Sequence, residues 1–272
     1  MPAGSGRYDH MTVGDDTSIY VLGGFFQSQV RRGFYRAGFE SHAWESLPEM
    51  PIGIATGGAA ILGDTIYVAS GYAETGLCID TLLKYSLSGR NWTTGIGPYF
   101  LQETTFSYSP KLVACQGRLY HIGGSHYPST AWATNRVRVY TPGSVFGWQD
   151  AARMHWARTF AACGVYHDTI WVAGGVDDSR ICAHTEFYVP EIDRWIIDSC
   201  VFPRLPGVVG GAASGVAGDR FFVYGGKDTS YRRCCDVFDF ATGRWLPRMP
   251  TPAPSFRGSG CGLSSGIAFV SG

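Results

Sequence analysis

Ile19-Tyr20-Val21-Leu22-Gly23-Gly24 is a short apolar run, rich in β-branched and aromatic residues, that ends in two glycines. The figure returns as Ile66-Tyr67-Val68-Ala69-Ser70-Gly71, Leu119-Tyr120-His121-Ile122-Gly123-Gly124, Ile170-Trp171-Val172-Ala173-Gly174-Gly175, Phe221-Phe222-Val223-Tyr224-Gly225-Gly226 and Ile267-Ala268-Phe269-Val270-Ser271-Gly272. The final glycines stand at 24, 71, 124, 175, 226 and 272, giving spacings of 47, 53, 51, 51 and 46 residues. Such runs closed by glycine are strand-like, and a period near 50 residues belongs to propeller blades rather than to helical arrays.

Each of the first five units carries a tryptophan downstream of its glycines: Trp44, Trp92, Trp148, Trp195 and Trp245. Four of these follow an aromatic by seven or eight positions, namely Tyr85, Tyr140, Tyr188 and Phe238. The first unit has Ala37 there, and its Arg31-Arg32-Gly33-Phe34-Tyr35-Arg36 segment reads as a longer, irregular loop. A unit therefore reads as four short strands. A small-residue strand such as Gly57-Gly58-Ala59-Ala60-Ile61-Leu62 comes first, then a Gly63-Asp64 turn, the Ile-Tyr-Val strand, and two strands carrying the aromatic and the tryptophan. Strands converging on an axis need Ala and Gly for close approach, while aromatics fill the widening wedge between blades.

Diglycine, tyrosine and tryptophan, joined to Met154-His155-Trp156-Ala157-Arg158 and Trp245-Leu246-Pro247-Arg248-Met249-Pro250, resemble the kelch repeat over nearly the whole chain. The Met-Pro and Arg elements are most similar to the propellers of kelch-like proteins, which pair the propeller with an upstream BTB domain. The expected fold is all-β, a kelch-type β-propeller with a six-bladed inner ring, five complete four-stranded blades and an incomplete sixth. After a Gly-rich lead at 1–6, the units run about 7–51, 52–101, 102–154, 155–203 and 204–250, with a partial 251–272. Because 254–272 supply only two inner strands, the chain is expected to be a fragment or a truncated member of a longer protein.

The composition bounds the function. Among 272 residues, 45% are hydrophobic, enough for a sizeable core. Twenty-two Lys and Arg balance 22 Asp and Glu, which speaks against general nucleic-acid or anionic-membrane binding. No apolar stretch approaches the roughly 18 residues of a membrane span. Met1-Pro2-Ala3-Gly4-Ser5-Gly6 has no basic start or apolar run of a secretory leader, so a cytoplasmic protein is expected. Its eight cysteines, Cys78, Cys115, Cys163, Cys182, Cys200, Cys234, Cys235 and Cys261, then read as reduced thiols.

Compact chemical motifs are absent: there is no Cys-x-x-Cys, His-Glu-x-x-His, Gly-Lys-Ser/Thr phosphate loop or Gly-x-Ser-x-Gly elbow. No catalytic residue, metal site or cofactor is expected. His121 and His126 are the nearest histidine pair and read as packed or hydrogen-bonded side chains. Cys163 and Cys261 hold matching small-residue positions. Cys234-Cys235 follows Arg232-Arg233, so a packing or loop role stands beside a thiol of lowered pKa.

The resemblance implies recognition by loops on one propeller face. Mapped onto this chain, loops following the diglycine contribute Phe25, Tyr72, Ser125, His126, Asp177 and Lys227, and loops entering the next inner strand contribute Arg7, Arg158 and Arg257. Arginine forks suit carboxylates and carbonyls, although Arg158 also reads as a bridge between blades. Units two, three and five carry Ile54, Ser107 and Val209 at the arginine position, so a full arginine ring is not present. Irregular loops combine aromatics with cations at Arg31–Arg36 and at Tyr231-Arg232-Arg233, and Ser129–Asn135 adds Trp132. The expected function is a protein–protein interaction module resembling the substrate-recognition propeller of a cullin-based ubiquitin ligase adaptor, or a related actin-associated scaffold. The cullin would be met only through a BTB domain absent from this chain. A kelch-propeller enzyme acting on a small molecule or sugar is the alternative.

Overall fold

The computed structural model describes residues 6–41, 43–98, 106–127, 133–178, 180–262 and 268–271. Five four-stranded antiparallel sheets follow one another along the chain, each with neighbouring strands in sequence order. The first is β1 (Met11–Gly14), β2 (Ser18–Leu22), β3 (Phe34–Gly38) and β4 (Trp44–Leu47). The second is β5 (Gly58–Leu62), β6 (Thr65–Ala69), β7 (Thr81–Ser86) and β8 (Asn91–Ile96). The third is β9 (Lys111–Cys115), β10 (Arg118–Ile122), β11 (Val137–Tyr140) and β12 (Trp148–Ala151). The fourth is β13 (Ala162–Tyr166), β14 (Thr169–Ala173), β15 (Thr185–Val189) and β16 (Arg194–Ile196). The fifth is β17 (Ala213–Ala217), β18 (Arg220–Tyr224), β19 (Cys234–Asp239) and β20 (Arg244–Trp245), with Met249–Pro250 also paired to β19. A two-stranded sheet, β21 (Ser259–Gly262) and β22 (Ala268–Ser271), comes last. This is an all-β propeller with five complete blades.

First strands pack side by side, β1 on β5, β5 on β9, β9 on β13, β13 on β17, β17 on β21 and β21 back on β1. A circle of backbone hydrogen bonds sits above them. Two residues ahead of each first strand stands a residue of left-handed backbone: Asp9 (φ 54°), Thr56 (57°), Ser109 (49°), Phe160 (54°), Gly211 (68°) and Arg257 (57°). The N–H of each donates to the carbonyl of its counterpart one unit earlier. These bonds measure 2.8 Å for Thr56 to Asp9, 2.8 Å for Ser109 to Thr56, 3.4 Å for Phe160 to Ser109, 3.0 Å for Gly211 to Phe160 and 2.9 Å for Arg257 to Gly211. Asp9 closes the circle by donating to Arg257 at 3.0 Å.

The diglycines do more than end strands. Gly23, Gly123, Gly174 and Gly225 have φ of 60° to 66°, and a Cβ on any of them would lie within 2.0–2.6 Å of a carbonyl oxygen in the following unit. The second glycine then donates its N–H to that same carbonyl: Gly24 to Ile54 at 2.8 Å, Gly124 to Arg158 at 2.9 Å, Gly175 to Val209 at 2.7 Å and Gly226 to Ser255 at 2.6 Å. Glycine is required because the backbone of one blade touches the backbone of the next. In the second unit Ser70 takes this place at φ 61°, fully buried, with its Oγ 3.0 Å from His121 Nε2. His121 is thus a hydrogen-bonded core histidine.

Apolar slabs lie between neighbouring sheets instead of in one central core. One joins Met11, Tyr20 and Leu22 to Ile66, Leu83 and Tyr85, and another joins Tyr120 and Ile122 to Ile170, Tyr188 and Trp195. The expected aromatic–tryptophan pairs are cross-strand partners, Tyr85 with Trp92, Tyr140 with Trp148, Tyr188 with Trp195 and Phe238 with Trp245, at ring separations of 5.0, 5.3, 5.1 and 5.4 Å. Each indole also ties its blade to the one before, Nε1 donating to the carbonyl of Pro48, Ile96, Ala152 or Pro203. The first unit corrects one expectation: Phe34, Tyr35 and Arg36 form strand β3, not an irregular loop. Phe34 is buried and packs edge-on against Tyr85 at 4.8 Å and Trp92 at 5.4 Å, filling the wedge that Ala37 leaves empty.

The diglycine contact predicts an asymmetry between two alanine variants. Gly174→Ala drives a Cβ to 2.6 Å from the Val209 carbonyl, whereas Gly63 has φ 58° with open space around it. Gly63→Ala should cost about 1 kcal/mol for the left-handed backbone alone, and Gly174→Ala about 3 kcal/mol or more, read from urea midpoints. Equal costs would show that the close approach is relaxed without penalty.

Candidate functional site

Strand alternation fixes which loops share a face. Connections from second to third strands, and from each fourth strand to the next blade, emerge together; the other hairpins turn at the opposite end. On the shared face, the residue after each diglycine pairs with the residue ahead of a left-handed position. Tyr8 pairs with Phe25, Ala55 with Tyr72, Tyr108 with Ser125, Thr159 with Val176, and Gly210 with Lys227. Phe25, Tyr72, Ser125 and Lys227 are thereby brought to one face. Asp177 lies in the small Val176–Asp177/Arg180–Ile181 ladder beside them. His126 follows Ser125 on the strand Ser125–Tyr127, its side chain outside the described part, as are residues 128–132 of the Trp132 loop.

Four rings on this face form a ladder. Tyr8 stacks on Phe25 at 5.2 Å, Phe25 on Tyr72 at 6.0 Å and Tyr72 on Tyr108 at 6.0 Å, with interplanar angles of 20°, 29° and 17°. The ladder crosses the first three units, and its Tyr8 end is 43% exposed. Beside it Arg31 lies over Phe26, and Arg32 is paired with Glu74. Across the face, cations alternate with rings again: Lys227 lies over Tyr231 and Phe256, and Arg257 over Phe160 and Phe256. Between the two groups opens an axial cavity of about 330 Å³, rimmed by the six left-handed residues. At its mouth Arg257 Nη1 donates to Asp9 Oδ2 at 3.1 Å. Burial raises the Asp9 pKa, against the pull of Arg257.

Arg7 and Arg158 sit in the same register and do the same backbone work. Arg7 Nη1 donates to the Gly23 carbonyl at 2.8 Å and to Gly33 at 3.3 Å; Arg158 Nη1 donates to Gly174 at 2.9 Å and to His184 at 3.0 Å. Arg158, only 1% exposed, adds a 2.8 Å bond from Nη2 to Glu186 Oε1, and Glu186 also accepts from the His155 N–H at 2.9 Å. The structure places both guanidinium groups inside the blades, against the sequence grouping of them with surface contacts. Arg257 stands two residues beyond that register, which Ser255 occupies, so its guanidinium reaches the cavity mouth. Tyr8, Tyr108, Phe160 and Phe256 escaped the sequence reading. Three of them, Tyr8, Tyr108 and Phe256, lie one position past the indexed arginine register, a signal visible only once the pairing is known.

Burial pushes the Cys163 and Cys261 thiols up to about 12. It also pushes Cys235 up to about 11, with the charge of the adjacent Asp236 adding to the rise, the opposite of an activated thiol. All eight cysteines are free. Among the described residues no group of three His, Cys, Asp or Glu side chains converges to hold a metal ion.

Known proteins bear on this geometry. No family model matches the chain. It is 24% identical over 245 residues to Kelch-like protein 15 of Danio rerio, covering 79% of this chain and 38% of that protein. Spermatocyte protein spe-26 of Caenorhabditis elegans is 24% identical over 239 residues, covering 85% and 40%. Kelch repeat and BTB domain-containing protein 1 of Camelpox virus is 25% identical over 191 residues, covering 69% and 32%. The blades make the chain a β-propeller, and its repeats and relatives make it similar to kelch-repeat propellers. It is similar to the propellers of BTB-kelch proteins, and it spans about two fifths of the length of the first two relatives.

Two outcomes test the buried groups. Arg158→Met leaves the fully buried Glu186 without its guanidinium partner and should cost about 3–5 kcal/mol; adding Glu186→Leu should restore most of it. A double variant no better than the single would contradict the ion-pair account. His10 is held neutral by burial, its pKa pushed down from 6.5 to about 4. Below pH 6.5 the unfolded chain therefore binds the proton first, and stability is lost as pH falls from 6.5 towards about 4, by up to about 1.4 kcal/mol per pH unit. His10→Gln should flatten that part of the curve in urea titrations at each pH.

Proposed function

We propose that the chain is a non-catalytic protein-recognition module whose diglycine-loop face grips an extended segment of a partner protein. The carrying observation is the ladder Tyr8–Phe25–Tyr72–Tyr108, facing the Lys227, Tyr231, Phe256 and Arg257 group across the cavity mouth. Rigid rings give contact area at low entropy cost, and cations set beside them orient a polar chain. The circle of hydrogen bonds holds these loops in place before any partner arrives, so little ordering entropy is lost on binding.

The finer reading follows the relatives. It makes this the substrate-recognition propeller of a cullin-based ubiquitin ligase adaptor or of a related scaffold. A BTB domain, a term in the name of the camelpox relative, would carry the ligase contact. The free cysteines fit work in the reducing cytoplasm. Strands β21 and β22 are, on the same reading, the inner half of a sixth blade within one domain from 7 to 272, since Arg257 takes its turn in the hydrogen-bond circle.

Photo-crosslinking tests the face. A crosslinker placed at Tyr8 or Tyr231 should join partner polypeptide in cell extract, and one at Phe146, 73% exposed on the opposite-end hairpin, should not. Tyr8→Ser with Tyr72→Ser should weaken capture of that partner by about tenfold or more at unchanged stability. Crosslinks confined to the Phe146 side would overturn the assignment.

A further inference from the structure

The axial cavity holds chemistry that neither the propeller frame nor the loop face uses. Its wall is built from the six first strands and is mostly small or apolar, with Gly58, Ala60, Ala114, Val165, Gly215 and Gly260 among its residues. Lys111, at the start of β9, is partly buried in that wall. Among the described residues its ammonium has neither a carboxylate nor a hydrogen-bond acceptor. Burial lowers the Lys111 pKa, and the ionisable group acting against that is the Cys163 thiol, which burial keeps protonated. A neutral thiol offers no counter-charge.

Other donors in the lining are idle as well. Arg257 Nε and Thr56 Oγ1 are buried without hydrogen-bond partners. The acid at this level, Asp9, is already paired with Arg257 Nη1, and His10 is held neutral. Idle donors and a cation without a counter-charge, lining one space of about 330 Å³, leave the cavity short of negative charge and of acceptors. Groups of that kind are satisfied by an oxyanion, which accepts several charge-assisted bonds at once.

We propose that the axial cavity is a binding site for a small free oxyanion, of the phosphate or carboxylate class, held by the Lys111 ammonium with the Arg257 and Thr56 donors. The site lies on the axis behind the loop face and meets it at Arg257, and a partner can fail to bind that face while the anion still enters the axis. Small ligands that bind only the folded state raise its melting temperature in a saturable way.

The test compares wild type with Lys111→Met by thermal unfolding at constant ionic strength, replacing chloride stepwise by phosphate in one arm and by acetate in the other. A saturable rise in Tm for wild type in either arm, with affinity reduced by about tenfold or more in Lys111→Met, supports the proposal and names the preferred oxyanion. A response that never saturates, or that Lys111→Met retains in full, overturns it. Should Lys111→Met not fold, Thr56→Val and a phosphorus NMR titration of the wild-type chain decide. Phosphate resonances that do not broaden or shift with wild-type protein, together with no saturable response to acetate, or an unaltered response in Thr56→Val, would equally overturn it.

Discussion

Six backbone hydrogen bonds, passed from unit to unit by residues with left-handed φ, are the constraint on which the rest of the structure depends. The bond from Asp9 to Arg257 joins positions far apart in sequence, so the circle forms only when every unit has been placed. Left-handed backbone at non-glycine residues costs of order 1 kcal/mol each. That cost is tolerated because the alternative is a set of buried, unpaired N–H and C=O groups where the strands converge. Convergence also fixes the composition. Close to the axis only small side chains fit, and further out the sheets splay, so tyrosine, phenylalanine and tryptophan occupy the wedge.

The circle explains why recognition can be asymmetric on a symmetric frame. Each unit offers two positions on the loop face, one before the left-handed residue and one after the diglycine. Their backbone is fixed by the repeat, so their side chains are free to vary. Of the six such positions in the first three units, Tyr8, Phe25, Tyr72 and Tyr108 fill four and Ala55 and Ser125 the other two, while the fourth unit has Thr159 and Val176. The face is aromatic on one side, cationic and aromatic on the other, and open at the axis.

Buried charge is handled inside the blades. Glu186 is neutralised by Arg158 and Asp236 by Arg232 and Arg248, each carboxylate near the start of a third strand. Arg7 and Arg158 cap carbonyls that the turn out of the diglycine would otherwise leave short of donors. An arginine chosen from sequence spacing as a surface contact is therefore also the residue best able to bridge two backbone carbonyls and a carboxylate in a confined space. Nothing in spacing alone separates those roles, because both place the guanidinium at the same loop.

The sequence by itself determined the repeat, the strand order within a unit and the pairing of Tyr85, Tyr140, Tyr188 and Phe238 with their tryptophans. These are local patterns: period-two alternation, glycine where φ is positive, and aromatic pairs across one hairpin. Tertiary structure alone decided that Arg158 is buried, that Arg257 reaches the axis and that the stack begun by Tyr8 and Phe25 continues onto rings one and two units away. It likewise decided that Lys111 lines the axial cavity. Those outcomes depend on which blade stands beside which and on a two-residue offset at the entry to each first strand. The physical reason is that burial and charge environment are set by neighbours distant in the chain, whereas periodicity is set by neighbours along it.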